Sequence, residues 1–283
     1  MRAFRIAYDG RPFYGFQRQP DVPTVEDAIL DALQALDVLD PEADSGAGVR
    51  PTPPGYAAAG RTDAGVSALA QTIAFEAPAW LTPRALNGEL PDSIHAWAHA
   101  DIPTGDSDAA ADFHATHDAT RRRYRYHLYA PDADPDLAAD ALDRLAGDHD
   151  FAALTTDDTG TVRTLETGAI RGPPYLVLDI AADGFPRHLV RRLAALVDLV
   201  ASGERPPSFV DRVLDGSTVP ECDGVPTAPA EPLVLVDVAY PQLSFKVDET
   251  AAAAARAALG ERRRRARTRS RTMGELVDAL ESE

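Results

Sequence analysis

The spacing of apolar and polar positions changes several times along this chain, and each change marks an element. Phe4-Arg5-Ile6-Ala7-Tyr8 alternates with the two-residue period of a half-buried strand. Over 25–36 the period lengthens. Ala28, Ile29, Ala32, Leu33 and Leu36 fall on one face of a helix that Thr24-Val25-Glu26 opens. The Pro-, Gly- and Asp-rich stretch 40–56 reads as a loop, 72–75 as a strand, and Pro83 as the start of a short helix, with no glycine pattern of a dinucleotide fold. The theme then repeats: a strand over 124–129, a helix over 137–145, a strand over 175–180 and a helix over 188–200. An Ala-rich helix is expected over 250–259. Two rounds of strand and helix, joined by the Pro-, Asp- and Gly-rich segment 101–111, predict an α+β fold. Its halves are 1–105 and 106–247, followed by a tail over 248–283.

The densest chemistry lies between the first helix and the 72–75 strand, in Ala59-Gly60-Arg61-Thr62-Asp63-Ala64-Gly65-Val66-Ser67-Ala68-Leu69. One carboxylate stands between two glycines with a guanidinium two places before it. Glycine lets the backbone turn tightly and approach a ligand, so Asp63 can project from a loop into a site. On local grounds alone the same residues also describe a turn, or a helix start capped by the Asp side chain.

Gly60-Arg61-Thr62-Asp63-Ala64-Gly65-Val66 resembles the signature of the tRNA pseudouridine synthases of the TruA family. Further pieces of the resemblance follow in order over roughly residues 4–245. They are Tyr8-Asp9-Gly10-Arg11-Pro12-Phe13-Tyr14-Gly15-Phe16-Gln17-Arg18-Gln19, then Asp112-Phe113-His114-Ala115, Arg122-Arg123-Tyr124-Arg125-Tyr126, and Gly184-Phe185-Pro186-Arg187-His188-Leu189-Val190-Arg191. The resemblance implies two RNA-recognition-like α+β halves whose antiparallel sheets join around a central cleft. It implies Asp63 as the catalytic nucleophile, Tyr124 against the target base and Arg191 paired with Asp63. It also implies the anticodon arm of tRNA as substrate, at tRNA positions 38 to 40, and a homodimer. Three positions depart from the usual pattern: Phe16 stands for Trp, Ser67 for His, and Pro186-Arg187 for Leu and a second His. Phe16 keeps an aromatic body. Ser67 removes an imidazole expected beside the nucleophile.

The chemistry suits these residues. Turning uridine into pseudouridine breaks the N1 to C1′ bond, rotates the base and joins C5 to C1′, with no change of oxidation state, so no cofactor or metal is expected. An ionised carboxylate can attack C1′ or take a ribose proton, and the residues leave both open. A guanidinium at Arg191 would hold that carboxylate charged. A uracil in a stem must first be flipped out, and RNA sites hold unstacked bases on aromatic rings, a role open to Tyr124. As a strand residue, Tyr124 shares a face with Tyr126 and points away from Arg125. Arg61 could fill the space a flipped base leaves or hold a flanking phosphate. Arg121, Arg122 and Arg123, together with the arginines of 262–271, are candidate phosphate contacts.

Charge at first argues against RNA. The formal net charge is −17, from 32 Asp and 13 Glu against 27 Arg and a single Lys, Lys246. Such Asp-rich, Lys-poor usage resembles proteins of extreme halophiles. At molar salt the screening length is about 3 Å, so whole-molecule repulsion fades and local arginines decide binding. The sole cysteine, Cys222, excludes an intramolecular disulfide and a multi-cysteine zinc site. No apolar run approaches a membrane span, and the chain opens on a strand with no charged-then-apolar leader, so no membrane partner and a cytoplasmic location are expected. Two competing functions remain. A catalytically inactive RNA-binding member would lack Asp63, Tyr124 or Arg191, yet all are present. A glycosidic-bond hydrolase would need a second carboxylate, and no matched motif supplies one.

Overall fold

The computed structural model describes residues 1–40, 50–102, 113–172, 174–215 and 224–281. Cys222, Asp112, most of the 40–56 loop and all but the first two residues of the 101–111 junction lie outside the described residues.

In chain order the elements begin with β1 (Arg2–Tyr8), α1 (Val25–Ala35), β2 (Ala57–Ala58), β3 (Ser67–Phe75), α2 (Pro83–Asn87) and β4 (Ile94–Asp101). The middle of the chain forms β5 (Arg121–Tyr129), α3 (Pro135–Leu145), β6 (Gly147–Asp150), β7 (Val162–Gly172), β8 (Tyr175–Ala182), α4 (Leu189–Ala201) and α5 (Ser208–Leu214). It ends with β9 (Leu233–Ala239), β10 (Lys246–Val247) and α6 (Glu249–Glu281). Helices α1, α3 and α2 start where side chains cap them. Thr24 accepts the Asp27 N–H, Asp134 accepts those of Asp136 and Leu137 ahead of Pro135, and Thr82 accepts that of Ala85 ahead of Pro83.

The strands form one continuous sheet in the order β10-β4-β1-β3-β9-β5-β8-β7-β6, with β2 paired on β3. Every pairing is antiparallel except that of β3 with β9, which is parallel and short, with Ser67 opposite Val234 and Ala68 opposite Leu235. The fold is thus α+β with a mostly antiparallel sheet. Two apolar clusters fill it. One gathers Phe4, Ile6, Phe16, Ile29, Leu33, Ile73 and Phe75 under α1; the other gathers Tyr126, Phe151, Leu178, Leu193, Leu196 and Phe209 among β5, β8, α3, α4 and α5. No described helix is long and apolar enough to cross a membrane.

Two sequence expectations change here. Alternation in β1 places Arg5 on a solvent face, yet Arg5 is only 8% exposed. The chain leaving β9 covers that face. The guanidinium lies 4.1 Å from the Phe245 ring centre and donates to Thr72 Oγ1 (2.9 Å) and the Val238 carbonyl (2.6 Å). The C-terminal helix, expected over 250–259, runs through the Arg-rich stretch to Glu281. Arginine and alanine are both good helix formers, and neither a proline nor a cap interrupts them.

β9 positions the cleft. Leu235 pairs with Ala68 of β3 on one side and with Tyr124 of β5 on the other, and Tyr124 pairs onward with Ile180 of β8. The loop before β3 and the Tyr124 ring are therefore set at one level across the centre of the sheet. A register shift between Arg123 and Tyr124 re-aims the strand at that point.

Candidate active site

The 59–66 loop is held from several sides. Ala59 N–H donates to the Thr72 carbonyl (2.8 Å), the Gln71 side chain to the Gly60 carbonyl (2.8 Å), and Phe16 N–H to the Thr62 carbonyl (3.0 Å). Thr62 shares a 2.8 Å hydrogen bond with the buried Tyr8 hydroxyl. Asp63 opens a turn that Val66 N–H closes onto the Asp63 carbonyl at 3.1 Å, and Gly65 at its third position has φ +83°, the left-handed value a type II turn requires. A neighbouring segment supplies the second glycine that matters. A Cβ on Gly10 would lie 2.0 Å from the Val66 carbonyl oxygen, so only glycine lets the 9–11 segment back the loop.

Asp63 reaches into a cleft of about 1190 Å³ that Phe16, Arg61, His114, Tyr124, Phe185, His188 and Arg191 help to line. Its side chain is 33% exposed. Arg191, in the first turn of α4, donates from Nη1 to Asp63 Oδ2 at 2.9 Å and from Nε to the Ala228 carbonyl at 2.7 Å. The second bond fixes the plane of the guanidinium, so the ion pair has a set direction. The expected pairing of Arg191 with Asp63 is present.

Tyr124 lines the same cleft, edge-on to Phe185 with ring centres 5.2 Å apart. Burial pushes its hydroxyl up to about 12, Arg122 opposing and Asp63 adding to the shift, so it stays protonated through the neutral range. Tyr126 lies on the same side of β5 but deeper. Its hydroxyl donates to the Pro229 carbonyl (3.1 Å) and steadies the loop that carries Ala228. Arg125 points to the other face and pairs with Asp179 on β8 at 2.7 Å.

The other sequence candidates divide. Arg61 is exposed at the mouth of the cleft, with no ion pair among the described residues. Arg122, expected to face RNA, points inward. It donates to the carbonyls of Ala59 (2.7 Å from Nη2), Thr116 (2.6 Å) and Asp183, tying the start of the Asp63 loop to two other segments. These bonds occupy the guanidinium with protein. Arg121 pairs with Glu166 at 2.6 Å, and Arg123 lies 3.6 Å from Asp179.

One residue went unmarked in the sequence. His188 Nε2 lies 3.6 Å from Asp63 Oδ2, so an imidazole does stand beside Asp63 although Ser67 replaces the expected one. His188 sits just before α4 in a left-handed conformation, φ +63° and ψ 0°. That backbone turns the ring toward Asp63. Ser67 Oγ instead accepts the Gly10 N–H at 3.1 Å, which links the glycine-backed segment to the loop. No group of three or more His, Cys, Asp or Glu suited to a metal ion occurs among the described residues.

A family profile described as tRNA pseudouridine synthase matches residues 141–241. The chain is 56% identical over 278 residues to tRNA pseudouridine synthase A of Natronomonas pharaonis, covering 98% of each chain. It is 53% identical over 290 residues to the protein of that name in Haloarcula marismortui, covering 99% of this chain and all of the relative. It is 38% identical over 272 residues to that of Methanothrix thermoacetophila, covering 93% and 92%. The first two hosts are halophilic archaea, in keeping with the acidic composition. The chain belongs to the tRNA pseudouridine synthase A family and is an isomerase that forms pseudouridine in tRNA.

Proposed function

We propose that the cleft takes a flipped-out uridine of the tRNA anticodon stem-loop, at tRNA positions 38 to 40, and that Asp63 is the group that reacts with it. The observation that carries this reading is the 2.9 Å ion pair of Asp63 with Arg191 inside a cleft that Tyr124 shares. Arg191 sets an opposite charge 2.9 Å from the carboxylate and aims it; Tyr124, braced by Phe185, offers its ring to the base. Arg61, free at the mouth, is placed to meet a flanking phosphate or to enter the gap left in the stem. The N1 to C1′ bond then breaks, the base turns within the cleft, C5 bonds to C1′, the C5 proton leaves and N1 takes up a proton, so substrate and product are isomers. Asp63 acts either by attack on C1′ or by removal of a ribose proton. We read the working unit as a homodimer and the sheet as two α+β halves, divided near residue 105. Light scattering in molar salt tests the first of these, and a monomer that modifies tRNA would refute it.

Asp63→Asn tests the assignment directly, since it keeps the side-chain size and removes the charge. Tritium release from C5-labelled uridine in tRNA should fall to background, while tRNA affinity in a filter-binding titration stays close to that of the unaltered protein, because most contacts are to backbone and shape. Were Asp63 only a turn residue, Asn would serve nearly as well and turnover would survive. A folded Asp63→Asn protein that releases tritium would overturn the assignment.

A further inference from the structure

Positive charge concentrates at one place outside the cleft. Seven of the 27 arginines fall within 262–271, with no acid among those ten residues, in a chain whose net charge is −17. The root of α6 is fixed. Ala251, Ala252 and Ala255 are buried, Asp248 accepts the Ala251 N–H at 3.1 Å, and Asp248 pairs with Arg84 at 3.0 Å. The last tether is Arg262, whose Nη1 lies 3.1 Å from Oδ2 of Asp9, a carboxylate only 7% exposed. From Arg263 to Glu281 every residue is exposed. At 1.5 Å per residue the free helix is a rod of about 28 Å.

Most of its charge is uncompensated. Arg264 and Arg265 pair with Glu261, whereas Arg263, Arg267, Arg269 and Arg271 have no ion pair among the described residues. Arg263, Arg267 and Arg271 follow one another at four-residue spacing, a like-charge arrangement that destabilises an isolated helix. A polyanion laid against that face would reverse the sign.

We propose that residues 262–271 of α6 form a rigid basic arm that lies along the sugar–phosphate backbone of the tRNA while the cleft holds the reacting base. The proposal rests on the reading of the cleft given above. The root of the arm makes it useful to the chemistry. Asp9 is held between Arg11 (2.7 Å) and Arg262, and the adjoining Gly10 packs directly on the carbonyl of Val66 in the Asp63 loop. Backbone held by the arm is therefore fixed relative to Asp63. Arginine suits the task at high salt. Screening then leaves interactions of about 3 Å, and guanidinium can meet phosphate through two hydrogen bonds at that range.

The test is a filter-binding titration of tRNA over a series of KCl concentrations with the full chain and with R263Q/R267Q/R269Q/R271Q, whose exposed substitutions leave the helix packing intact. The variant should bind at least tenfold more weakly, and the log–log salt slope should become shallower by roughly 3 to 4, about 0.9 for each phosphate the arm no longer neutralises. Equal affinity and slope would overturn the proposal. So would a fall in particle mass on light scattering that tracks the weaker binding, because the arm would then join two copies of the chain. Pseudouridine formation by the unaltered protein is measured alongside. Absence of product marks failure of the functional reading, whereas product with an unchanged variant slope marks failure of this one.

Discussion

At the scale of residues, the site depends on two groups 128 positions apart in the chain that meet at 2.9 Å. Arg191→Ala removes a hydrogen bond to a charged group, of a kind that contributes about 1.5–3 kcal/mol. Single-turnover pseudouridine formation should therefore slow roughly ten- to a hundredfold, with circular dichroism unchanged. His188 offers a separate test. A non-glycine residue at φ +63° carries about 1–2 kcal/mol of backbone strain, which glycine avoids and alanine keeps. His188→Gly should thus unfold at a higher urea concentration than His188→Ala. Equal midpoints would show that the helix entry is unstrained. Asp63, Tyr124 and Arg191 were legible through resemblance to a family, the last of them in spite of the departure at Pro186-Arg187 within its motif. His188 stood in the same motif, but its approach to Asp63 comes from a left-handed backbone that no sequence spacing displays. The inward direction of Arg122 follows from the strand period alone. In a strand, residues 122, 124 and 126 share a face, so Arg122 had to point with Tyr124 toward the interior.

At the scale of elements, the Asp63 loop is shaped by the segment behind it as much as by its own residues. Gly10→Ala would set a methyl 2.0 Å from the Val66 oxygen, and neither backbone can yield without moving Asp63. Overpacking of this kind costs about 1–3 kcal/mol. The variant should melt lower and lose most of its activity, and a shift in tRNA affinity smaller than the loss of rate would confirm that the loop, rather than RNA binding, is disturbed. Helices α1, α3 and α4 were readable because each shows an apolar stripe and two of them a polar cap. Strands were harder. β4 alternates alanine with His95, Trp97 and His99, a weak apolar signal, and β6 is Gly-Asp-His-Asp, polar throughout. β7, β9, β10 and α5 were also unmarked. β9 is apolar without alternation because the sheet encloses much of it, and periodicity cannot separate such a run from a helix. Gly60, three residues before Asp63 where Gly65 is two after it, has no positive φ, so one of the two glycines in the motif sets the turn.

At the scale of the molecule, a net charge of −17 sets two responses to salt against each other. Self-repulsion of the acidic surface reaches about 30 Å at 0.01 M ionic strength and about 3 Å at 1 M, so added KCl should stabilise the fold. Thermal unfolding followed by circular dichroism should move up by several degrees over that range, whereas tRNA binding weakens over the same range. A melting temperature independent of salt would show that the acids do not strain the fold. The order of the sheet bears on how the protein is made. β3 and β5 carry the two sides of the cleft, yet β9, the strand that joins them, ends at residue 239. On a ribosome adding about 5–20 residues per second, roughly 5–20 s separate the end of β5 from the end of β9. Through that interval the nascent chain carries the aspartate loop and the tyrosine strand without the strand that pairs with both.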